Sequence, residues 1–392
     1  MHKLRVYYLK YFNALDNFPG HFFWSKPIEL EKKFMQVALD LAKNGEGNVL
    51  PNPVVGCVIV KENQKIGQGY HQKFGADHAE INALREAGPK AENSTMYVTL
   101  EPCAHYGKTP PCTAAIIKSG IKKVFVAMED PNPKVAGKGI AALAAAGIEV
   151  KTGLLNYEAH KMNRAFIKYI STGLPYVSVK IAQTLDGKIA DTNNNSQWIT
   201  GTFSRQSVQN LRFTAGAVLV GAGTVCSDDP KLTIRNRKVM QQPWRIVLDP
   251  ALQTSVDSQL YTDENKQRTI VFTSVCRKND DAISKLEKNG VHLYFCDCEP
   301  NLHFELNEVL KNLGEMEIAH VLVEGGSRIF SSFMQQKCAD ELLLFIAPKL
   351  FGKGLSALDI EGYSASAPLR FRDQTWSQSA DDMLFRATID WD

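Results

Sequence analysis

No apolar run in the 392-residue chain approaches the roughly 20 residues that span a bilayer, so no transmembrane helix is expected. A disulfide framework is also missing. Cys57, Cys226, Cys276, Cys296, Cys298 and Cys338 are scattered, and only Cys103 and Cys112 share a local motif. That usage fits a reducing, cytoplasmic setting. The net charge of +3 is too small to argue for a nucleic-acid or membrane surface. There is no internal repeat and no low-complexity segment. Residues 1–27 hold a single acid, Asp16, but no uninterrupted apolar core of signal-peptide length, and they read as a non-catalytic extension. What remains has the composition of a soluble globular protein, and its length implies two cores rather than one.

Helical spacing places Phe34, Val37, Ala38 and Leu41 on one face of a helix over 28–44. VVGCVIV (54–60) predicts a buried strand that pairs with 65–70 across Glu62–Asn63–Gln64. A helix opening at His78, a strand over 95–100, a helix over 112–120 and a strand over 122–128 follow. A helix over 139–147 and a strand over 148–153 complete an α/β layered domain, expected over 28–153. One linker helix is expected over 156–171, within 154–174, closed by Thr172-Gly173-Leu174-Pro175. A second alternation fills 175–392. Its strands are expected at 176–184, 217–221, 244–249, 268–274, 291–295, 319–326, 341–348 and 383–390. Its helices are expected at 203–214, 279–288, 303–312 and 327–336.

The sharpest chemistry is in the first half. His78-Ala79-Glu80 opens a helix, Pro102-Cys103 closes a strand, and Cys112 opens the next helix. Two thiolates and an imidazole converging from element ends form a catalytic rather than a structural zinc set, because three protein ligands leave a position for water. Zinc brings the pKa of such a water to about 7. Glu80 is next to a ligand without being one, which suits it to carry the water proton to a leaving nitrogen. The nine-residue step from Cys103 to Cys112 departs from the Cys-x-x-Cys spacing of zinc nucleobase deaminases.

These segments, PNPVVGCVIV, GYHQKFG, HAE, TLEPCAHYGKTPPC and EDPNPKVAGKG, together resemble the bifunctional deaminase–reductase family of riboflavin biosynthesis. The likeness continues through VKIAQTLDGKIA, SQWIT, GAGTVCSDDPKLTIR, VEGG and IAPKLFG, and so runs from about residue 28 through nearly all of the chain. The resemblance implies an α/β chain with a three-layer cytidine-deaminase-like domain followed by a dihydrofolate-reductase-like domain. It implies zinc-dependent deamination of a diamino-ribosylaminopyrimidinone 5′-phosphate, then reduction of the ribosyl group to ribityl by NADPH. It also implies that Asn52, His71, His105 and Lys108 hold the first substrate. An amide suits a pyrimidine edge and a lysine suits a phosphate. Asn52 equally suits a turn between two prolines, and His71 a satisfied core histidine.

The second site is less legible, for no G-x-G-x-x-G follows its first strand. Glycine pairs in GAGT (221–224) and at Gly325-Gly326 stand at strand ends, where backbone amides can approach a phosphate or simply form a tight turn. The resemblance implies cofactor contacts at Ala182, Trp198, Thr224, Asp228, Gly326, Ser327, Arg328, Ile329, Phe330, Ser331 and Ser332. For the phosphorylated substrate it implies Ser196, Arg212, Leu232, Arg235 and Glu324, with Lys180 beside the ribose as the catalytic group. Arg277 is the candidate for the 2′-phosphate of NADPH. The near-neutral charge argues against a tRNA deaminase. Expected partners are small phosphorylated pyrimidines, with neither nucleic acid nor membrane, and a homo-oligomer is left open.

Overall fold

The computed structural model describes residues 26–104, 110–132, 135–297 and 304–391. His105 and Lys108 therefore lie outside the described residues, as does most of the N-terminal extension.

The chain begins with α1 (Lys26–Ala42), which buries Met35, Ala38, Leu39 and Ala42. The apolar face is rotated from the expected one, and Val37 is 37% exposed. Met35 at its centre packs with Val58 and Val60 on the following strand, and that contact sets the rotation. Next come β1 (Gly56–Lys61) and β2 (Gln64–Tyr70). Their turn has two residues, Glu62 and Asn63, both at positive φ, and Gln64 already pairs with Lys61. Such a left-handed pair matches the twist of the two strands. The order continues with α2 (Ala79–Ala87), β3 (Thr95–Leu100), α3 (Cys112–Lys118), β4 (Lys123–Met128), α4 (Lys138–Ala145) and β5 (Glu149–Thr152). The sheet order is β2-β1-β3-β4-β5, with β3, β4 and β5 parallel. Helices cover both faces: α1 packs on one, and Ala79, Ala83 and Ala87 of α2 on the other.

The expected single linker helix is two helices, α5 (Asn156–Met162) and α6 (Arg164–Thr172). Asn163 breaks it because its side chain is used elsewhere. Its Oδ1 accepts from the Val54 amide at 2.9 Å and its Nδ2 donates to the Val54 carbonyl at 3.0 Å. A buried asparagine satisfying both polar groups of one backbone residue outweighs one turn of continuous helix.

The remainder forms a nine-stranded sheet and a separate two-stranded one. Its elements are β6 (Tyr176–Thr184), β7 (Lys188–Ala190), α7 (Thr202–Ala215), β8 (Ala217–Gly221), α8 (Ala222–Asp228), β9 (Trp244–Leu248), α9 (Gln259–Thr262) and β10 (Thr269–Ser274). They continue as α10 (Asp281–Lys288), β11 (His292–Cys296), α11 (Leu306–Glu315), β12 (His320–Gly325), α12 (Ser327–Gln335), β13 (Glu341–Ala347), β14 (Leu355–Ser356), β15 (Arg370–Ser379) and β16 (Asp382–Asp390). The order in the large sheet is β11-β10-β9-β8-β12-β6-β13-β16-β15, and β7 pairs with β14 apart from it. The strands are parallel from β11 to β13 and antiparallel at β16 and β15. The polar edge strand β15 escaped the sequence reading because RFRDQTWSQS lacks apolar alternation, and its pairing with β16 makes it a strand.

Helix α6 docks on this sheet through charge. Lys168 Nζ lies 2.6 Å from Asp340, and Arg164 and Arg386 reach Glu341 at 2.7 and 2.6 Å. Ser178 Oγ donates to Glu341 at 2.8 Å and accepts from the Nε2–H of His320 at 2.9 Å. Burial, with Arg164 and Lys168 nearby, pushes His320 down to about 3. The unfolded chain therefore binds a proton that the native state refuses between about pH 6.5 and pH 3. Stability should rise with pH across that window. The loss between pH 7 and pH 5 should be roughly 2 kcal/mol from this group. Thermal unfolding of wild type and His320→Gln at the two pH values checks it, since the variant should lose that part of the slope.

Candidate functional site

Helix α2 begins directly after His78, which is its N-cap residue, and α3 begins at Cys112. Both helix starts meet the end of β3, where Cys103 follows Pro102. The Cys112 amide lies 3.3 Å from Cys103 Sγ, and the Thr113 amide donates to the Cys103 carbonyl at 3.2 Å. His78 Nδ1 lies 3.2 Å from Cys112 Sγ and 3.6 Å from Cys103 Sγ. All three ligand atoms fall within 4.8 Å of one another. A tetrahedral zinc with ordinary Zn–N and Zn–S lengths separates its ligand atoms by about 3.5 to 3.8 Å, so the set fits that ion.

The two thiols shift in opposite directions, Cys103 being held down while Cys112 is pushed up by Cys103 and by burial. Cys112 as hydrogen-bond donor and then His78 hold the Cys103 thiol well below its usual range. Cys103 in turn raises His78. Glu80, in the first turn of α2, is 3% exposed, and burial raises its carboxyl against the pull of His78. Glu80 is no member of the ligand set, yet its carboxyl interacts with His78 and Cys112, so it can hold a proton there.

His71 is a satisfied buried histidine. Its Nδ1 faces the Asp77 carbonyl at 3.2 Å and its Nε2 the Asn52 amide nitrogen at 3.3 Å. Nδ1 therefore carries the proton and Nε2 accepts from Asn52. Burial keeps the ring neutral by lowering its pKa, and it packs edge-on against His78 with centroids 5.5 Å apart. His71 thus supports His78 and Asn52 from behind.

One residue of this site was missed by the sequence reading. Glu101 is 3% exposed and accepts four backbone N–H groups from the segment after β4. An acid closing an otherwise apolar strand just before Pro102-Cys103 was the available clue.

In the second half, Lys180 on β6 and Glu324 on β12 lie on adjacent parallel strands, next to the register pair Val179–Val323. Burial lowers Lys180, with Glu324 opposing and Arg212 reinforcing the shift. Arg212 on α7 grips Glu324 with two bonds, Nε to Oε1 at 2.6 Å and Nη2 to Oε2 at 2.8 Å. Its Nη1 donates to the Thr233 carbonyl at 2.9 Å. The guanidinium expected to meet a phosphate is thus engaged with Glu324, and that pair outweighs burial to lower the Glu324 carboxyl. Arg235 is exposed nearby and adds to the same lowering.

Two glycine-bearing turns meet at the ends of β8 and β12. The Gly326 amide donates to Thr224 Oγ1 at 3.3 Å. A Cβ at Gly325 would sit 2.7 Å from that hydroxyl, so only glycine lets the two turns approach. Helix α12 starts at Ser327. Glycine turns opening onto a helix start fit a dinucleotide phosphate. Burial differs along the run 326–332. The Phe330 side chain is core, and Ser331 Oγ accepts from the Asp359 amide at 2.8 Å. The Leu232 side chain is likewise core, at 3% exposure. The side chains of these three are buried in the protein. Gly326, Ser332, Ile329 and exposed Arg328 remain on accessible positions, with Ser327 mostly buried. Trp198 is 63% exposed with the Arg205 guanidinium 4.4 Å above its ring. Ala182 and Ser196 are half-buried, Asp228 ends α8 in the open, and Arg277 is exposed just after β10.

Residues 28–128 match the cytidine and deoxycytidylate deaminase zinc-binding region, and residues 175–385 match the RibD C-terminal domain. The riboflavin biosynthesis protein RibD of Aquifex aeolicus is 45% identical over 356 residues, covering 91% of this chain and 98% of that protein. Its counterpart in Escherichia coli is 38% identical, over 86% of this chain and 94% of that protein. A solved structure of Acinetobacter baumannii RibD superposes with a TM-score of 0.83 at 38% identity, over 93% of this chain and all of that one. A deaminase/reductase from Thermotoga maritima superposes with a TM-score of 0.81, also at 38% identity and with 93% of this chain and all of that one covered. The chain belongs to the RibD family, as a bifunctional enzyme of riboflavin biosynthesis with a zinc-binding deaminase domain and an NADPH-using reductase domain.

Proposed function

We propose that residues 28–153 deaminate a diaminohydroxyphosphoribosylaminopyrimidine and that residues 175–392 reduce the resulting aminophosphoribosylaminouracil, the substrates in the name of the Thermotoga maritima relative. The convergence of His78, Cys103 and Cys112 around one point, with buried Glu80 beside it, carries this reading. Zinc held there supplies a Lewis acid that makes water nucleophilic near neutral pH. Glu80 takes the proton of that water on a carboxylate oxygen and returns it to the leaving amine nitrogen. Asn52, fixed through His71, offers its amide to the pyrimidine edge. His105 and Lys108 belong to the same proposal as holders of the base and phosphate. In the second site NADPH supplies the hydride. Glu324, held by Arg212, orients sugar hydroxyls, while Lys180 manages the proton released or needed as the ribose ring opens. Ser196 and Arg235 hold the phosphate end, and Trp198, Thr224, Asp228 and Gly326 face the cofactor.

Among the described residues no helix is long and apolar enough to cross a membrane, and the seven described cysteines are free. Both support a cytoplasmic location.

Metal analysis with two assays tests the reading. Wild type should hold one zinc per chain, and Cys112→Ser should lose both zinc and deamination. It should still oxidise NADPH when given deaminated substrate. An active deaminase free of divalent metal refutes the first half, and NADPH oxidation that ignores the deaminated substrate refutes the second.

A further inference from the structure

The Glu101 carboxylate is spent entirely on backbone. Its Oε2 accepts from the amides of Asp130 at 3.1 Å and Gly137 at 3.0 Å. Its Oε1 accepts from Gly139 at 2.7 Å and Ile140 at 3.2 Å. Two oxygens offer about four acceptor positions, so none is left for metal or substrate. These amides bracket the connection from β4 to α4. Because β3 and β4 are parallel, that connection leaves the sheet at the edge from which Cys103 emerges. Open α/β sheets bind ligands at this edge. The fit there is close: a Cβ at Gly139 would lie 2.0 Å from the Pro102 carbonyl oxygen.

We propose that Glu101 is a positioning residue of the deaminase. It ties Asp130, Gly137, Gly139 and Ile140 to the strand end that carries Cys103, and so fixes these residues at the side of the substrate site. The inference rests on the deaminase reading above. A neutral amide cannot replace the carboxylate, because glutamine has one acceptor oxygen and its NH₂ would face two N–H donors.

Glu101→Gln in the full-length zinc enzyme tests this. Zinc should stay at one per chain and kcat for deamination should change little. The KM should rise about tenfold or more, as expected when several bonds to a charged acceptor are lost. Amide exchange should quicken at Asp130, Gly137, Gly139 and Ile140 and not in the α2 helix. Glu101→Asp, which keeps two oxygens, should restore part of the KM. An unchanged KM overturns the proposal. Lost zinc overturns it too, for Glu101 would then serve the metal ligands. If Glu101→Gln does not fold, the aspartate variant decides: a raised KM supports the role and a wild-type KM overturns it. Failure of the deaminase reading itself would look different, since wild type would then not deaminate at all.

Discussion

Glu80→Gln should lower deamination by about 10²- to 10⁴-fold, the usual contribution of a placed acid–base group, while zinc stays bound and reduction continues. Glutamine copies the shape of the carboxyl but cannot take a proton. Glu80 is outside the ligand set of His78, Cys103 and Cys112, so the metal should remain. Burial raises its carboxyl, which brings its proton affinity closer to the working pH of an enzyme. The same shift sets the sign for stability. A buried acid with a raised pKa costs folding free energy above its unfolded pKa, so the neutral amide should unfold no earlier than wild type at pH 7. Metal content, the deamination rate, NADPH oxidation with supplied product and a melting curve check all four statements on one protein. Retained deamination would remove Glu80 from its role.

The zinc constellation was legible because its chemistry is local. His78-Ala79-Glu80 and Pro102-Cys103 each place their groups at an element end that periodicity alone locates, and the helix starting at Cys112 does the same. The partners of those groups were not legible, because they depend on contacts distant in sequence. Glu101 is read only through amides some thirty to forty residues away, and Asn163 only through Val54, 109 residues away. The second site shows the limit more clearly. Arg212 looked like a phosphate fork by side-chain type. Its actual partner is Glu324, 112 residues away on another strand. Similarly, a run of seven residues cannot reveal which of them turn inward. Phe330 and Ser331 face the core because α12 packs one side against the sheet.

Lys180→Met should cut reduction by about 10²- to 10⁴-fold while leaving deamination and NADPH binding intact. The lysine stands beside Glu324, whose carboxylate is immobilised by two bonds from Arg212. Hydride transfer to the ribose carbon requires a proton where the ring oxygen is released, and a lysine lowered by burial gives one up more readily than an exposed lysine. If the ammonium is the donor, kcat should fall as pH rises through its lowered pKa, and that alkaline limb should vanish in the methionine variant. Lys180→Arg separates the two possible duties. Arginine keeps the charge but does not release its proton, so it should fail to rescue a donor and should rescue a purely electrostatic role. Stability moves the opposite way. Folding a lysine whose pKa is depressed costs free energy below its unfolded value, so at pH 7 the methionine protein should melt at the same temperature or higher. A variant that loses reduction while gaining stability would show that Lys180 is kept for chemistry at the expense of the fold.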